Sequence, residues 1–538
     1  FYFVHYLQTS IFIDRYTLYA FSEAFYWNCW VKGNCKYLIN THLTLVYILI
    51  MPVNLSQSFK QIDDILRKDD GLATALDYIE QTSWILFLKY FSETEAIDAE
   101  RAELAGKEHS YILEEKFRWS NWALPRNSSG EVNHDKKLLG DDLITFVNQE
   151  LFPYLKSLRD ISDDQLSMQY KVGEIFGDIT NRIRDGYNLR EIIEIVDELR
   201  FRSSDEQHEM SEIYEGHIQQ MGNAGRNGGE YYTPRSLITA MITVLDPKVG
   251  ETIYDPACGS GGFLVEAYKY ILGKSENLST SDIEFLQTKA LLGKEKKGLP
   301  FIIANMHLIF NGIKFPNIVR ANTLSKNIME IQEKDKVDII LANPPFGGKE
   351  NEAVQMNFPI KTSASENMFM QYFIRSLKQG GRAAIIIKNT FLTNDDNATK
   401  ALRQELLTEC NLHTILDMPQ GTFLGAGVKT VVLFFAKGEA TKDIWYYQLD
   451  PGRNLGKTNP LNINDFKEFL DISSKNPISE NSWFVKYEDI DKNNYDLGVQ
   501  NPNKVEEIDN RTPQEIISEI KELDHKSEQA LKTIKEIL

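Results

Sequence analysis

The chain has 538 residues, more than one hydrophobic core ordinarily supports, and 42% of them are apolar, enough to build packed domains. Its 59 basic and 77 acidic residues give a net charge of −18, which excludes attachment to a polyanion by bulk charge alone. Four irregularly spaced cysteines make neither a disulfide framework nor a zinc site, the nine histidines form no ligand cluster, and no metal is implied. That cysteine usage points to a reduced, cytoplasmic setting.

Residues 1–50 are crowded with aromatics and precede the first methionine, Met51. They are expected to be upstream sequence foreign to the folded protein. A membrane anchor is the rival reading, but the longest apolar patch, residues 43–50, falls far short of the ~20 residues that span a bilayer. No small-residue cleavage site of a signal peptide follows. From 51 to 199 the pattern is helical: Phe59, Ile62, Ile65 and Leu66 share one face, and Leu72, Leu76 and Ile79 continue it after Gly71. Trp119 and Trp122 are expected in the core of this domain, since aromatics in a helical domain usually pack.

Residues 205–470 alternate strands and helices as a Rossmann-like doubly wound sheet does, with strands over 252–255, 337–342, 383–387 and 431–435. An irregular stretch follows, then a tail, 471–538, carrying a helix from Thr512. There Thr512, Pro513 and Glu515 supply an N-cap, a first-turn proline and a capping-box acid. Ile516, Ile520, Leu523, Ser527, Ala530, Ile534 and Ile537 then repeat at the 4-3 spacing of a coiled-coil seam. Such a seam either packs back onto its own chain or takes a partner helix.

Two segments of the central region carry chemistry. Thr252 to Phe263 reads TIYDPACGSGGF, a strand, a glycine turn and a helix start, which is the nucleotide-binding turn at the carboxyl end of a first strand. Gly259, Ser260, Gly261 and Gly262 let a ligand approach the backbone, and Asp255 is placed to accept from an ammonium group. A phosphate loop would have a lysine after the glycines. Phe263 and Leu264 stand there instead, so the ligand is expected to be cationic and phosphate-free. The second segment is Asn343-Pro344-Pro345-Phe346, which ends the apolar strand Val337 to Ala342. Two prolines remove two N–H donors, leaving the Asn343 side-chain oxygen and the Pro344 carbonyl to accept from the NH2 of a planar base while Phe346 stacks on its ring. Either segment alone is compatible with a plain turn.

Together, in this order, DPACGSG and NPPF resemble the amino-methyltransferases that use S-adenosylmethionine, and most closely the modification (M) subunit of type I restriction-modification systems, an adenine-N6 DNA methyltransferase. The resemblance runs from about Met51 to the C-terminus. It implies that Glu230, Tyr231, Tyr232, Thr233, Pro234 and Arg235, ahead of the glycine loop, hold the methionine end of the cofactor. Thr233 and Pro234 also read as N-cap and first residue of the apolar helix 237–245. Glu295 matches the second-strand acid that accepts ribose hydroxyls. It stands farther from the loop than the usual ~20 residues, which calls for an inserted helix over 281–289. Asn322 stands where the family more often has Asp, facing the cofactor's adenine, and Lys388-Asn389 stand where relatives usually have proline. The late strand Val431 to Phe435 also matches.

The implied partners are duplex DNA, a specificity (S) subunit bound by two M subunits, and a restriction (R) motor subunit, with no membrane. Amino methylation of cytosine N4 by a self-sufficient enzyme uses the same acceptors, and the methylated base distinguishes it. Glutamine methylation of a protein factor uses a similar turn in a shorter chain. A non-catalytic scaffold is the alternative of another class, which cofactor binding would exclude. No segment resembles a target-recognition domain.

Overall fold

A computed structural model describes residues 55–127, 132–164, 167–199, 210–212, 214–216, 218, 232–275, 277–423, 427–456, 458–503 and 512–537. The expectation for residues 1–50 therefore lies outside the described residues. The chain divides into two units, residues 1–60 and 61–538, and the second carries both the helical region and the sheet.

Its amino-terminal part is helical, as the apolar spacing predicts. The long helix α1 (Ala75–Leu104) opens on a capping box in which Thr74 and Asp77 satisfy each other's backbone donors. It buries Trp84, Ile85, Leu86, Phe87 and Leu88 against α2 (Met168–Asp178) and α3 (Gly186–Glu198), whose Val172, Phe176, Ile192 and Val196 are equally enclosed. Trp119 and Trp122 are core residues as expected, and Trp119 donates from Nε1 to Asp197 at 2.7 Å.

Nine described strands form one sheet in the order β3-β2-β1-β4-β5-β7-β6-β8-β9. Their ranges are β1 Ile253–Asp255, β2 Leu291–Glu295, β3 Asn317–Arg320, β4 Val337–Ala342, β5 Leu377–Lys388, β6 Cys410–Asp417, β7 Thr430–Lys437, β8 Asp443–Gln448 and β9 Ser482–Lys486. From β3 to β5 the neighbours are parallel, while β7 runs antiparallel between β5 and β6. Alternate residues show why the strands are apolar throughout: Val431, Leu433 and Phe435 join one core with Ile340, Ile385 and the helical residues Met368, Phe373 and Leu406. The sheet continues through β8 and β9, where the sequence reads as irregular, and so extends past residue 470. Aromatics in β8 bury themselves without a periodic pattern, Trp445, Tyr446 and Tyr447 being enclosed on both faces.

The order of connection fixes the place of the site. After β1 the chain moves outward to β2 and β3, then returns to β4 on the other side of β1, so the crossovers part above the carboxyl ends of β1 and β4. In open α/β sheets that parting is where ligands bind. Around it lie α4 (Arg235–Leu245), α5 (Gly262–Lys274), the inserted helix α6 (Thr280–Thr288) and α7 (Gly298–Phe310). Helix α7 also docks the amino-terminal helices: Phe310 meets Tyr90 and Tyr214 edge-on at 5.6 and 5.2 Å, and the Tyr214 hydroxyl lies 2.9 Å from that of Ser83. The buried amine of Lys171 donates to the Pro316 carbonyl across the same junction.

The carboxy-terminal helix α8 (Pro513–Ile537) begins as its capping box predicts, with Thr512 N–H and hydroxyl donating to Glu515 at 2.6 and 2.9 Å. Ile520 and Leu523 of the apolar repeat are about half exposed, as is Ile517 beside them. The side chains of Ala530, Ile534 and Ile537 lie outside the described residues.

Candidate active site

The glycine loop leaves β1 and wraps the amino terminus of α5. Gly259 and Gly261 have φ of +52° and +76°, values that a side chain resists. Asp255 closes β1 at 1% exposure, and its Oδ1 accepts from the Ala257 N–H at 3.0 Å. Burial, together with the nearby Glu295 carboxylate, pushes the Asp255 carboxyl well above the usual carboxylate range. A cationic group brought against it would reverse that cost.

Glu295, at the end of β2, holds the loop from beneath. Its Oε2 accepts from the Gly259 N–H at 2.9 Å and its Oε1 from Lys297 N–H at 2.8 Å, while burial raises its carboxyl. Each oxygen keeps a further lone pair. Asn322 acts locally, since its Oδ1 caps the short turn Thr323–Ser325 by accepting from Leu324 N–H at 3.1 Å. The neighbouring Thr323 hydroxyl donates to the Pro256 carbonyl at 2.5 Å, so this segment abuts the glycine loop without Asn322 itself lining the cleft.

A narrow cleft lies between the two motifs, lined by Thr233, Arg235, Asp255, Ser260, Phe263 and Asn343 among others. Asn343 follows β4 directly. Its Nδ2 donates to the Thr233 hydroxyl at 3.0 Å, which orients the amide, while its Oδ1 is enclosed and has no hydrogen-bond partner. An unsatisfied buried acceptor costs about 1–3 kcal/mol, a cost that a ligand donor reaching the site would remove. Pro344 is buried, Pro345 half-buried, and the half-buried Phe346 ring meets Phe423 edge-on at 5.7 Å. The helix expected over 237–245 starts earlier, at Arg235, with Pro234 as its N-cap. Thr233 is thus not the cap the sequence suggests, and its hydroxyl serves Asn343 instead. Glu230 and Tyr231 lie outside the described residues.

Sequence reasoning gave no role to three neighbours of this cleft. Glu215 receives the Nε–H of Arg235, and its other oxygen stands 3.5 Å from Nε2 of His307. Burial pushes the Glu215 carboxyl up, but His307 and Arg235 outweigh it and hold the group down at about 2. His307, fully enclosed on α7, donates from Nδ1 to the Ser260 carbonyl at 2.9 Å. Burial lowers the imidazole's pKa against the opposing pull of the Glu215 carboxylate. A lone histidine in the apolar run PFIIANMHLIF gives no sign of this, and no sequence spacing links Glu215 to Arg235. Phe423 lies far along the chain from Phe346, which only the sheet order brings near.

Comparison with known proteins places this architecture in a class. The family model for N-6 DNA methylases matches residues 205–511, and that for the HsdM N-terminal domain matches residues 55–196. The chain belongs to the N-6 DNA methylase family. It is 35% identical to the EcoEI type I restriction enzyme methylase subunit of Escherichia coli, covering 87% of this chain and 94% of that one. It is 28% identical to the EcoKI methylase subunit of Escherichia coli strain K12, over 76% of this chain and 74% of the other. Among solved structures, a modification subunit of a putative type I restriction enzyme from Vibrio vulnificus superposes with a TM-score of 0.74 at 33% identity, covering 85% of this chain and 99% of that one. The fold and the adenine-N6 DNA methyltransferase activity that the resemblance implies thus stand, and nothing favours cytosine methylation or a scaffold.

Proposed function

We propose that the cleft binds S-adenosylmethionine and that Asn343, Pro344, Pro345 and Phe346 receive an adenine turned out of duplex DNA. The observation that carries this reading is the enclosed Asn343 Oδ1, an acceptor without a donor beside a buried acid. The donor set fits the cofactor: Asp255 for its ammonium, Arg235 and the start of α4 for its carboxylate, Glu295 for ribose hydroxyls, and the Asn322 segment for its adenine. When bound, the cofactor supplies an electrophilic methyl group on sulfonium.

The protein's own part is positional. An adenine amino nitrogen is a poor nucleophile because its lone pair is delocalised into the ring. Asn343 Oδ1 and the Pro344 carbonyl, accepting one hydrogen each, draw that nitrogen toward tetrahedral geometry and fix it for in-line attack. Phe346 stacks on the extruded base and restores part of the few kcal/mol lost on unstacking. Thr233 keeps the Asn343 amide from rotating its oxygen away.

The acidic balance supports a division of labour in which a specificity subunit reads the DNA sequence. Two copies of this chain would serve one such subunit, with a motor subunit joining for restriction in the cytoplasm. Exposed apolar positions on α8 supply the surface for the specificity subunit. No helix of the described residues is long and apolar enough to cross a membrane. The test is transfer of a labelled methyl group to DNA by the chain together with its specificity subunit. N6-methyladenine in the digest is the expected product, and N4-methylcytosine would overturn the reading.

A further inference from the structure

Arg235 is held by a chain of contacts that ends on the glycine loop. Its Nε–H meets Glu215, Glu215 meets His307 at 3.5 Å, and His307 meets the Ser260 carbonyl at 2.9 Å. The guanidinium presses so closely on the loop that a Cβ added to Gly262 would lie 1.7 Å from its Nη1. Its Nη2 is enclosed and has no partner, and the Tyr232 ring lies 5.5 Å from its centre. Of the five N–H donors of an arginine, this arrangement commits one to Glu215 and leaves the guanidinium tip, which lines the cleft, against the glycine loop.

An arginine on a flexible stem loses much of its entropy when it binds a carboxylate, and a fixed one has lost it already. Glu215 and His307 supply that fixation from two different elements. Glu215 is held ionised beside the guanidinium, so its tie to Arg235 is an ion pair as well as a hydrogen bond. The preceding residue, Tyr214, anchors the arrangement to the amino-terminal helices through Ser83 and Phe310.

We infer that Glu215 and His307 are positioning residues that preset Arg235 to discriminate ligands by their α-carboxylate. This rests on the reading that the cleft binds S-adenosylmethionine. The experiment compares S-adenosylhomocysteine, which has the amino-acid end, with methylthioadenosine, which lacks it, by calorimetry on the full chain. Wild type is expected to prefer the former, and Arg235→Ala to lose that preference at least tenfold. Glu215→Ala is expected to reproduce most of that loss while changing methylthioadenosine affinity less than twofold. His307→Asn, which keeps a donor for Ser260 but withdraws from Glu215, should lie between. Equal loss for both ligands in the Glu215 and His307 variants would reduce these residues to structural support and overturn the inference, as would an unchanged or increased preference. If Glu215→Ala does not fold, Glu215→Gln and Arg235→Lys carry the comparison, since each loses the charged fork geometry while keeping bulk. Wild type binding neither ligand would instead defeat the cofactor reading itself.

Discussion

Replacing Gly262 by alanine tests how tightly the two halves of the cleft are locked. The new methyl group would stand 1.7 Å from Nη1 of Arg235 and 2.7 Å from its Cζ. An arginine tip can ordinarily swing aside, but this one is tied to Glu215 through Nε, so displacement breaks an enclosed ion pair or shifts the loop. Overpacking of this kind costs about 1–3 kcal/mol. Against it stands the gain of alanine over glycine in a helical backbone, about 0.4–1 kcal/mol. The net expectation is destabilisation of roughly 1–2 kcal/mol in chemical denaturation, with cofactor affinity reduced because Arg235 has moved. In an Arg235→Ala background the clash is gone, and the same Gly262→Ala change should be neutral or slightly stabilising. Equal destabilisation in both backgrounds would refute the reasoning, since the cost would then lie in the loop and not in the guanidinium.

Thr233→Val removes the acceptor of the Asn343 Nδ2–H; turnover should fall about three- to tenfold, as expected for one net hydrogen bond, with cofactor affinity nearly unchanged and Thr233→Ser restoring the rate. Glu215 has a carboxyl held down at about 2, so its stabilising contribution is fully present above the ordinary range near 4.5 and disappears as pH falls toward 2. Denaturation at a series of pH values should therefore show Glu215→Gln losing stability less steeply than wild type across that window, and parallel curves would contradict the assignment. Removing residues 512–538 should weaken co-purification with the specificity subunit while calorimetric cofactor affinity stays as in the full chain.

Much of this architecture is legible in the residues because it depends on local rules. The strand–glycine–helix turn at Asp255 to Phe263, the apolar strand ending in NPPF, the inserted helix before Glu295 and the cap at Thr512 each follow from short-range sterics and capping, and each falls where expected. Where the sequence misleads, tertiary contact decides. Thr233 reads as an N-cap, but the cap falls on Pro234 and the Thr233 hydroxyl is engaged by Asn343 from another strand end. Strand β8 carries no alternation because its aromatics are enclosed on both faces, Trp445 against Phe469 and Tyr446 against Trp483. Glu215 and His307 are invisible for a different reason. A buried contact between side chains needs only spatial closeness, and neither residue's neighbours in sequence differ from those of an ordinary helix.

The central claim is that the Asn343 amide oxygen grips the target amino group and does not hold the cofactor. Asn343→Ala in the assembled enzyme should abolish methyl transfer, while calorimetry gives a cofactor affinity within about twofold of wild type and Asp255→Ala shows the reverse pattern of weakened cofactor binding. Loss of cofactor affinity in Asn343→Ala equal to that in Asp255→Ala, or methyl transfer persisting without the amide, would contradict the account.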